Sequence, residues 1–208
     1  MPSTPNKVPD IVIGRLPLYL RALTYLLEEG DEIASSQDLS DRLGIGSAQI
    51  RKDLSHFGEF GKQGTGYEIE FLRQQLQRIL GLDEEWDVAL IGVGDLGHAL
   101  AHYGGFVSAG FRIAVVFDCD HQKIGKKVAD FEIFDAEAMP VIIQDRGIKV
   151  AIVAVPASEA QYVADILVES GVQAILNYAP ITLGVPPHVR VQHLDPVIHL
   201  QHMMYYLK

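Results

Sequence analysis

The sequence predicts an α/β protein in two parts: an N-terminal winged helix-turn-helix domain and a C-terminal Rossmann-like, doubly wound parallel sheet. Three observations predict it. Apolar runs of strand length alternate with helical patterns through the second part. The first of those runs ends in a glycine pattern, and the next ends in an acid. Ahead of them, three short amphipathic segments lead into a glycine-rich hairpin with aromatic flanks. The expected domains are residues 1–82, residues 83–195, and a terminal helix over 196–208.

The chain is organised around Trp86 to Asp118. Val88, Ala89, Leu90 and Ile91 form an apolar run suited to a strand buried on both faces, and it stops at Gly92. Gly92-Val93-Gly94-Asp95-Leu96-Gly97 then has the spacing of a dinucleotide turn. Gly92 allows the tight turn, Gly94 lets backbone approach a pyrophosphate, and Gly97 lets the helix pack on the strand. The N–H groups of the first helical turn are the expected phosphate donors. Asp118 closes the run Ile113 to Phe117, twenty-one residues after Gly97, where a carboxylate accepts from both ribose hydroxyls. It would repel a 2′-phosphate, so NADH/NAD+ is favoured over the phosphorylated pair. Coenzyme A or another adenine nucleotide is the alternative.

Composition sets bounds on class. With 208 residues, 48% hydrophobic and 21% charged, the chain has room for a medium domain and a small one. No apolar run reaches the length of a membrane span and the first residues lack a secretory signal, so a cytoplasmic protein is expected. Net charge is -10, but it is uneven: residues 1–82 hold nine Lys/Arg against eleven Asp/Glu, and the remainder eight against sixteen. DNA binding needs a local basic surface rather than a basic protein, so the total does not exclude it. The single cysteine, Cys119, cannot form an internal disulfide, and a buried or spectator thiol is expected there.

In the first part, residues 1–10 carry three prolines and read as a flexible tail. Leu16, Leu20, Leu23, Leu26 and Leu27 recur at helical spacing in a helix expected from Ile13 to Glu29, ended by Gly30. A second, short helix begins at Ser35 to Asp38 with Ser36 as its cap, and Gly44-Ile45-Gly46 makes the turn. The third helix, from Ser47 to about Phe57, puts Ile50, Leu54 and Phe57 on one face. Ser47, Gln49, Arg51, Lys52, Ser55 and His56 are the candidates to meet DNA in the major groove. Gly58 to Tyr67, with four glycines, suits a wing whose Lys62 and Thr65 lie along the phosphates. An amphipathic helix over Glu70 to Leu80 precedes the joint at residues 81–85.

In the second part, the loop His121 to Gly125 brings Lys123 toward the adenine side. A short strand within Lys126 to Phe134, a helix from Ala136 to Arg146, a strand over Val150 to Val155 and a helix from Ala157 to Ser170 follow. Ala174 to Tyr178 and Val189 to Val191 complete the strands. Ligands of such sheets sit beyond the carboxyl ends of the strands, which makes Pro156, Asn177, Tyr178 and Pro180 candidates for the nicotinamide end, with Tyr103 reaching the same pocket. Val197 to Leu207 is apolar nearly all round, so it is expected to dock on another subunit or between domains. His98 with His102, and His199 with His202, have helical spacing but lack further ligands in register, so no metal is expected.

These residues resemble a known family. Gln49 to Gly58, then Gly61 and Gly64 to Tyr67, look like the recognition helix and wing of the Rex family, bacterial redox-sensing transcriptional repressors. Gly92 to Gly97, Tyr103 with Phe106, Phe117-Asp118 and Asn177 to Pro180 sit in the family's order. The resemblance implies a homodimer with a terminal helix exchanged between subunits. It implies binding to palindromic operator double-stranded DNA when NADH is low and release when NADH binds. The family's switch residues fall at Arg21, Tyr103 and Asp195. Pro196 directly after the aspartate and the stop at Lys208 depart from the family's tail. The competing classes are a small NAD-dependent dehydrogenase, which would need a proton donor beside the nicotinamide, and a coenzyme A-binding module.

Overall fold

The computed structural model describes residues 8–62 and 64–207, and divides them between two compact units that meet at Glu84 and Glu85. Most of the expected N-terminal tail lies outside the described residues. The first unit holds α1 (Asp10–Ile13), α2 (Leu16–Glu28), β1 (Ile33–Ala34), α3 (Ser36–Leu43), α4 (Ser47–Ser55), β2 (Gly61–Lys62), β3 (Gly66–Glu68) and α5 (Ile69–Ile79). Its sheet is antiparallel with order β1-β3-β2. Tyr19 and Leu23 of α2, Leu39 of α3, Ile50 and Leu54 of α4, and Leu72 and Leu76 of α5 bury one core beneath the helices.

Three local features differ from the sequence expectation, each for a physical reason. The first helix is not continuous from Ile13: Pro17 has no N–H to give to residue 13, so α1 stops and α2 starts afresh. The cap of α3 is Ser35 and not Ser36, because Ser35 Oγ accepts from the backbone N–H groups of Gln37 and Asp38 while Asp38 accepts from Ser35 N at 2.7 Å. Strand β1 was not expected at all; two residues are too few to show alternation.

The second unit holds β4 (Trp86–Ile91), α6 (Asp95–Ala101), α7 (Gly105–Ser108), β5 (Phe111–Asp118), β6 (Lys127–Val128), β7 (Phe131–Asp135), α8 (Met139–Arg146), β8 (Val150–Val153), α9 (Ala157–Glu169), β9 (Ala174–Asn177), β10 (Arg190–His193) and α10 (Pro196–Met204). Short 3-10 turns precede α8 and follow α10. The sheet order is β10-β9-β8-β4-β5-β7-β6. Every pairing is parallel except that of β6 with β7, so the expected single strand over 126–134 is a hairpin that closes the sheet edge. In chain order the six parallel strands run 3-2-1-4-5-6, and β4 and β8 flank the point where that order reverses. Val88 and Leu90 face one apolar layer and Ala89 and Ile91 the other, as a strand covered on both faces requires.

Candidate functional site

The candidate nucleotide site lies at the carboxyl ends of β4, β5 and β8. Gly92 N donates to Phe117 O on β5 and Ala154 N to Ile91 O, each at 2.8 Å, so the turn is stitched to both neighbouring strands. Gly92 has φ +92, and a Cβ there would lie 2.6 Å from Ala154 O. A Cβ at Gly97 would overlap the carbonyl oxygen of Gly92. Gly94 differs from both: nothing lies within 4 Å of where its Cβ would stand, and no side chain caps α6. Two glycines are thus required by the protein's own packing, while the third borders open space at an uncapped helix start. That arrangement fits a pyrophosphate. Asp95 and Leu96 begin the helix and are exposed.

Asp118 ends β5 beside this turn, buried to 8% exposure. Its Oδ2 accepts from Val93 N at 2.7 Å and from Lys123 Nζ at 3.2 Å, and its Oδ1 from Asp120 N at 2.8 Å. Burial pushes the carboxyl up, but the donors from Asp120, Val93 and Lys123 together outweigh it and hold the group below its ordinary value. The site therefore keeps a fixed negative charge where a ribose would lie. Lys123 reaches it from the loop that follows β5.

At the other end of the site, Tyr103 is 60% exposed and stands edge-on to Phe106 with ring centroids 5.1 Å apart. Its ring covers Gly105, where a Cβ would collide with it. Tyr178 packs, as Phe106 does, against the buried cluster that holds Val88, Leu90 and Val93, and its phenol is raised by burial first and then by the nearby Tyr103. The structure thus brings Tyr103 and Tyr178 together beside the Gly92 turn's own apolar layer. Pro156 caps the start of α9 and is exposed.

Asn177 is corrected. Its side chain is fully buried: Nδ2 donates to Ala179 O and Ile181 O, both at 3.0 Å, and shares a hydrogen with His193 Nδ1 at 3.2 Å, while Oδ1 accepts from Ala179 N. The amide shapes the loop that carries Tyr178: both its N–H groups are engaged within the protein and the side chain is fully buried, so it presents no group to solvent. Cys119 is exposed rather than buried. The His98 and His102 rings stack at 4.5 Å, with His102 Nδ1 turned to His98 O, and no metal cluster occurs among the described residues.

In the first unit, α4 presents Gln49, Arg51, Lys52, Ser55 and His56 to solvent, with Ser47 half-buried at its start. Arg51 Nη1 donates to Ser36 Oγ at 2.8 Å, and Ser55 Oγ is spent on Lys52 O at 2.8 Å. Arg51 and Ser36, with Thr65 and Tyr67 of the wing, line a cleft of 790 Å³ between helix and hairpin. Nothing is described of the Lys62 side chain. Arg21 is exposed on α2, and Asp195 caps α10 by accepting from Val197 N at 2.9 Å. Arg21 thus belongs to one unit, Tyr103 and Asp195 to the other.

Sequence reasoning missed one residue. Asp53 of α4 is fully buried and accepts from Arg15 Nε and Tyr19 Oη, each at 2.6 Å, from Arg15 Nη2 at 2.8 Å and from Gln49 Nε2 at 2.7 Å. Burial alone would raise it, but Arg15, Tyr19 and Gln49 hold it below its ordinary value; Arg15 is raised in return, and Tyr19 is raised by its burial first and then by Asp53. The signal was present: Asp53 stands three residues after Ile50, on the apolar face.

Comparison with known proteins agrees with both halves. Residues 83–181 match a family model for a CoA binding domain, and residues 7–55 one described as "putative DNA-binding protein N-terminus". The redox-sensing transcriptional repressor Rex of Chloroflexus aurantiacus is 56% identical over 96% of this chain and 94% of its own length. That of Streptomyces coelicolor is 45% identical over 96% of this chain and 78% of its own. Among solved structures, RSP in complex with β-NAD+ and operator DNA superposes with a TM-score of 0.91 at 40% identity, covering 96% of this chain and 92% of that one. RSP with β-NADH gives 0.88 at 38% identity, covering 97% and 95%. The chain belongs to the Rex family of redox-sensing transcriptional repressors.

Proposed function

We propose that this chain binds operator DNA through α4 and the wing, that NADH bound at the Gly92 turn releases it, and that it works as a regulator and not as a dehydrogenase. The observation that carries the reading is the pairing, in one chain, of an open glycine turn facing the ionised Asp118 with a winged helix whose exposed face carries Gln49, Arg51 and Lys52. Gly92, Val93, Gly94 and Gly97 would form the pyrophosphate turn, with Asp95 and Leu96 giving backbone N–H groups. Asp118 and Lys123 would hold the adenosine ribose. Pro156, Tyr103 and Tyr178 would border the nicotinamide. The nicotinamide is neutral and puckered when reduced, cationic and planar when oxidised, so only groups beside that ring distinguish the two forms.

Arg21, Tyr103 and Asp195 are proposed to carry that difference to the DNA-binding unit. By linkage, DNA must weaken NADH binding by the factor by which NADH weakens DNA binding, typically about 1 to 3 kcal/mol. All large apolar side chains of α10 are exposed, Ile198 to 60% and Leu200 to 53%, which supports a homodimer covered along this helix and hence a palindromic site. Among the described residues no helix is long and apolar enough to cross a membrane, and a repressor of this kind works in the cytoplasm.

Selection from random duplex DNA at fixed salt, with no nucleotide, with NAD+ and with NADH, tests the reading. The expected result is a palindromic site that NADH alone releases. No selected sequence under any condition would overturn it. Tyr103→Phe is expected to blunt the NADH response, and an unchanged response removes Tyr103 from the switch. The CoA binding domain match favours a second reading, coenzyme A in the same turn; competition between coenzyme A and NADH by calorimetry separates the two.

A further inference from the structure

Asp53 accepts four hydrogen bonds, and three of them come from side chains at α2, part-buried or buried: two from Arg15 and one from Tyr19. The fourth donor is of a different kind. Gln49 lies one turn earlier on α4, exposed on the face that carries Arg51 and Lys52, and its Nε2 donates to Asp53 Oδ1 at 2.7 Å. The two ends of a primary amide are nearly the same size, and an exposed glutamine ordinarily takes either flip. An ionised carboxylate has no hydrogen to give, so it accepts the nitrogen end and rejects the oxygen end. Gln49 is therefore held in one flip, and its Oε1 accepts no hydrogen bond among the described residues.

We propose that Asp53 is a positioning residue for sequence readout: it holds the Gln49 amide so that Oε1 meets an amino N–H on a base edge, adenine N6 or cytosine N4, in the major groove. Guanine and thymine show the groove acceptors at the corresponding position, O6 and O4, which the outward oxygen disfavours, while the second Nε2 hydrogen, not used by Asp53, is left for a neighbouring acceptor such as a purine N7. The same carboxylate thus ties α4 to α2 and sets the polarity of one reading group. This rests on the proposal that α4 enters the major groove.

The test is selection from random duplexes by the full chain without NADH, using wild type, Gln49→Met and Asp53→Asn. At one position of each half-site the wild type is expected to prefer adenine or cytosine by about tenfold. Gln49→Met should flatten that position alone. Asp53→Asn offers Gln49 either a donor or an acceptor, so it should flatten the same position while the others stay selected and the salt dependence is kept. A wild-type preference for guanine or thymine there overturns the proposal. Should Gln49→Met leave every position unchanged, the assignment of α4 falls together with it. Should Gln49→Met flatten a position that Asp53→Asn still selects, only the role of Asp53 falls. If Asp53→Asn binds no duplex, the Gln49 side-chain amide of the wild type decides by NMR: a signal that moves with the acid titration of Asp53 supports the tether, and the shifts of a free glutamine amide overturn it.

Discussion

Asp53 and Asp118 are both buried carboxylates held below their ordinary value, yet they are finished differently. Asp53 is 0% exposed, and all its donors are side chains from two helices of its own unit. Asp118 is 8% exposed, takes two of its donors from backbone N–H groups, and stands at a strand end beside a turn bordered by open space. The closed carboxylate orders the protein around it. The one at the rim accepts one bond fewer and stands where, on the function proposed, the nucleotide's ribose would lie. Burial and a depressed carboxyl therefore do not by themselves mark a ligand site; the deciding feature is whether the donor shell is complete without the ligand.

Four experiments would break or sharpen this contrast. The largest effect is expected from Asp53→Ala, which leaves Arg15 and Tyr19 facing a cavity and should cost about 3 kcal/mol. Urea denaturation read by far-ultraviolet circular dichroism should show the loss, and an unchanged midpoint would count against the closed carboxylate's structural role. Next, Asp118→Ala should weaken NADH binding by about 2 kcal/mol, roughly 30-fold, measured by calorimetry, and should narrow any preference over NADPH. If it lowered stability as much as Asp53→Ala and left affinity alone, the contrast would fail.

Acid unfolding gives a smaller effect. Both folded-state values lie below the reference near 3.8, so the unfolded chain takes up protons first as pH falls. The stability these groups supply is complete above that reference and is lost as pH drops from there through each folded value. Asp53→Asn should flatten that acid limb in a circular dichroism titration, and an unaltered limb would count against the depressed value. The smallest change is expected from Arg51→Ala. Removing one cation from the cleft wall should lower the slope of log affinity against log salt by about 1 and weaken all sequences alike.

Much of this was legible in the sequence where a pattern is local. The Val88 to Ile91 run, the three glycines and Asp118 lie within one strand-turn-helix-strand unit, so spacing alone placed them. The wing was readable from its glycines. What lies between distant segments was not. Arg15 and Asp53 are 38 residues apart, and a charge next to Lys52 reads as solvated until the apolar face is traced through it. Asn177 differs for the converse reason: a polar residue at a strand end reads as a ligand contact, and only the loop folding back through Ala179 and Ile181 shows its amide turned inward and buried. Residues 33 and 34 carry no periodicity, and their pairing with β3 is tertiary.

The covering of Gly105 by the Tyr103 ring couples the two positions. A side chain at residue 105 is accommodated once the tyrosine ring swings away, and at 60% exposure the ring is free to do so. Residue 105 is therefore a lever on the ring rather than on the fold: Gly105→Ala displaces the phenol while Tyr103 itself stays in place.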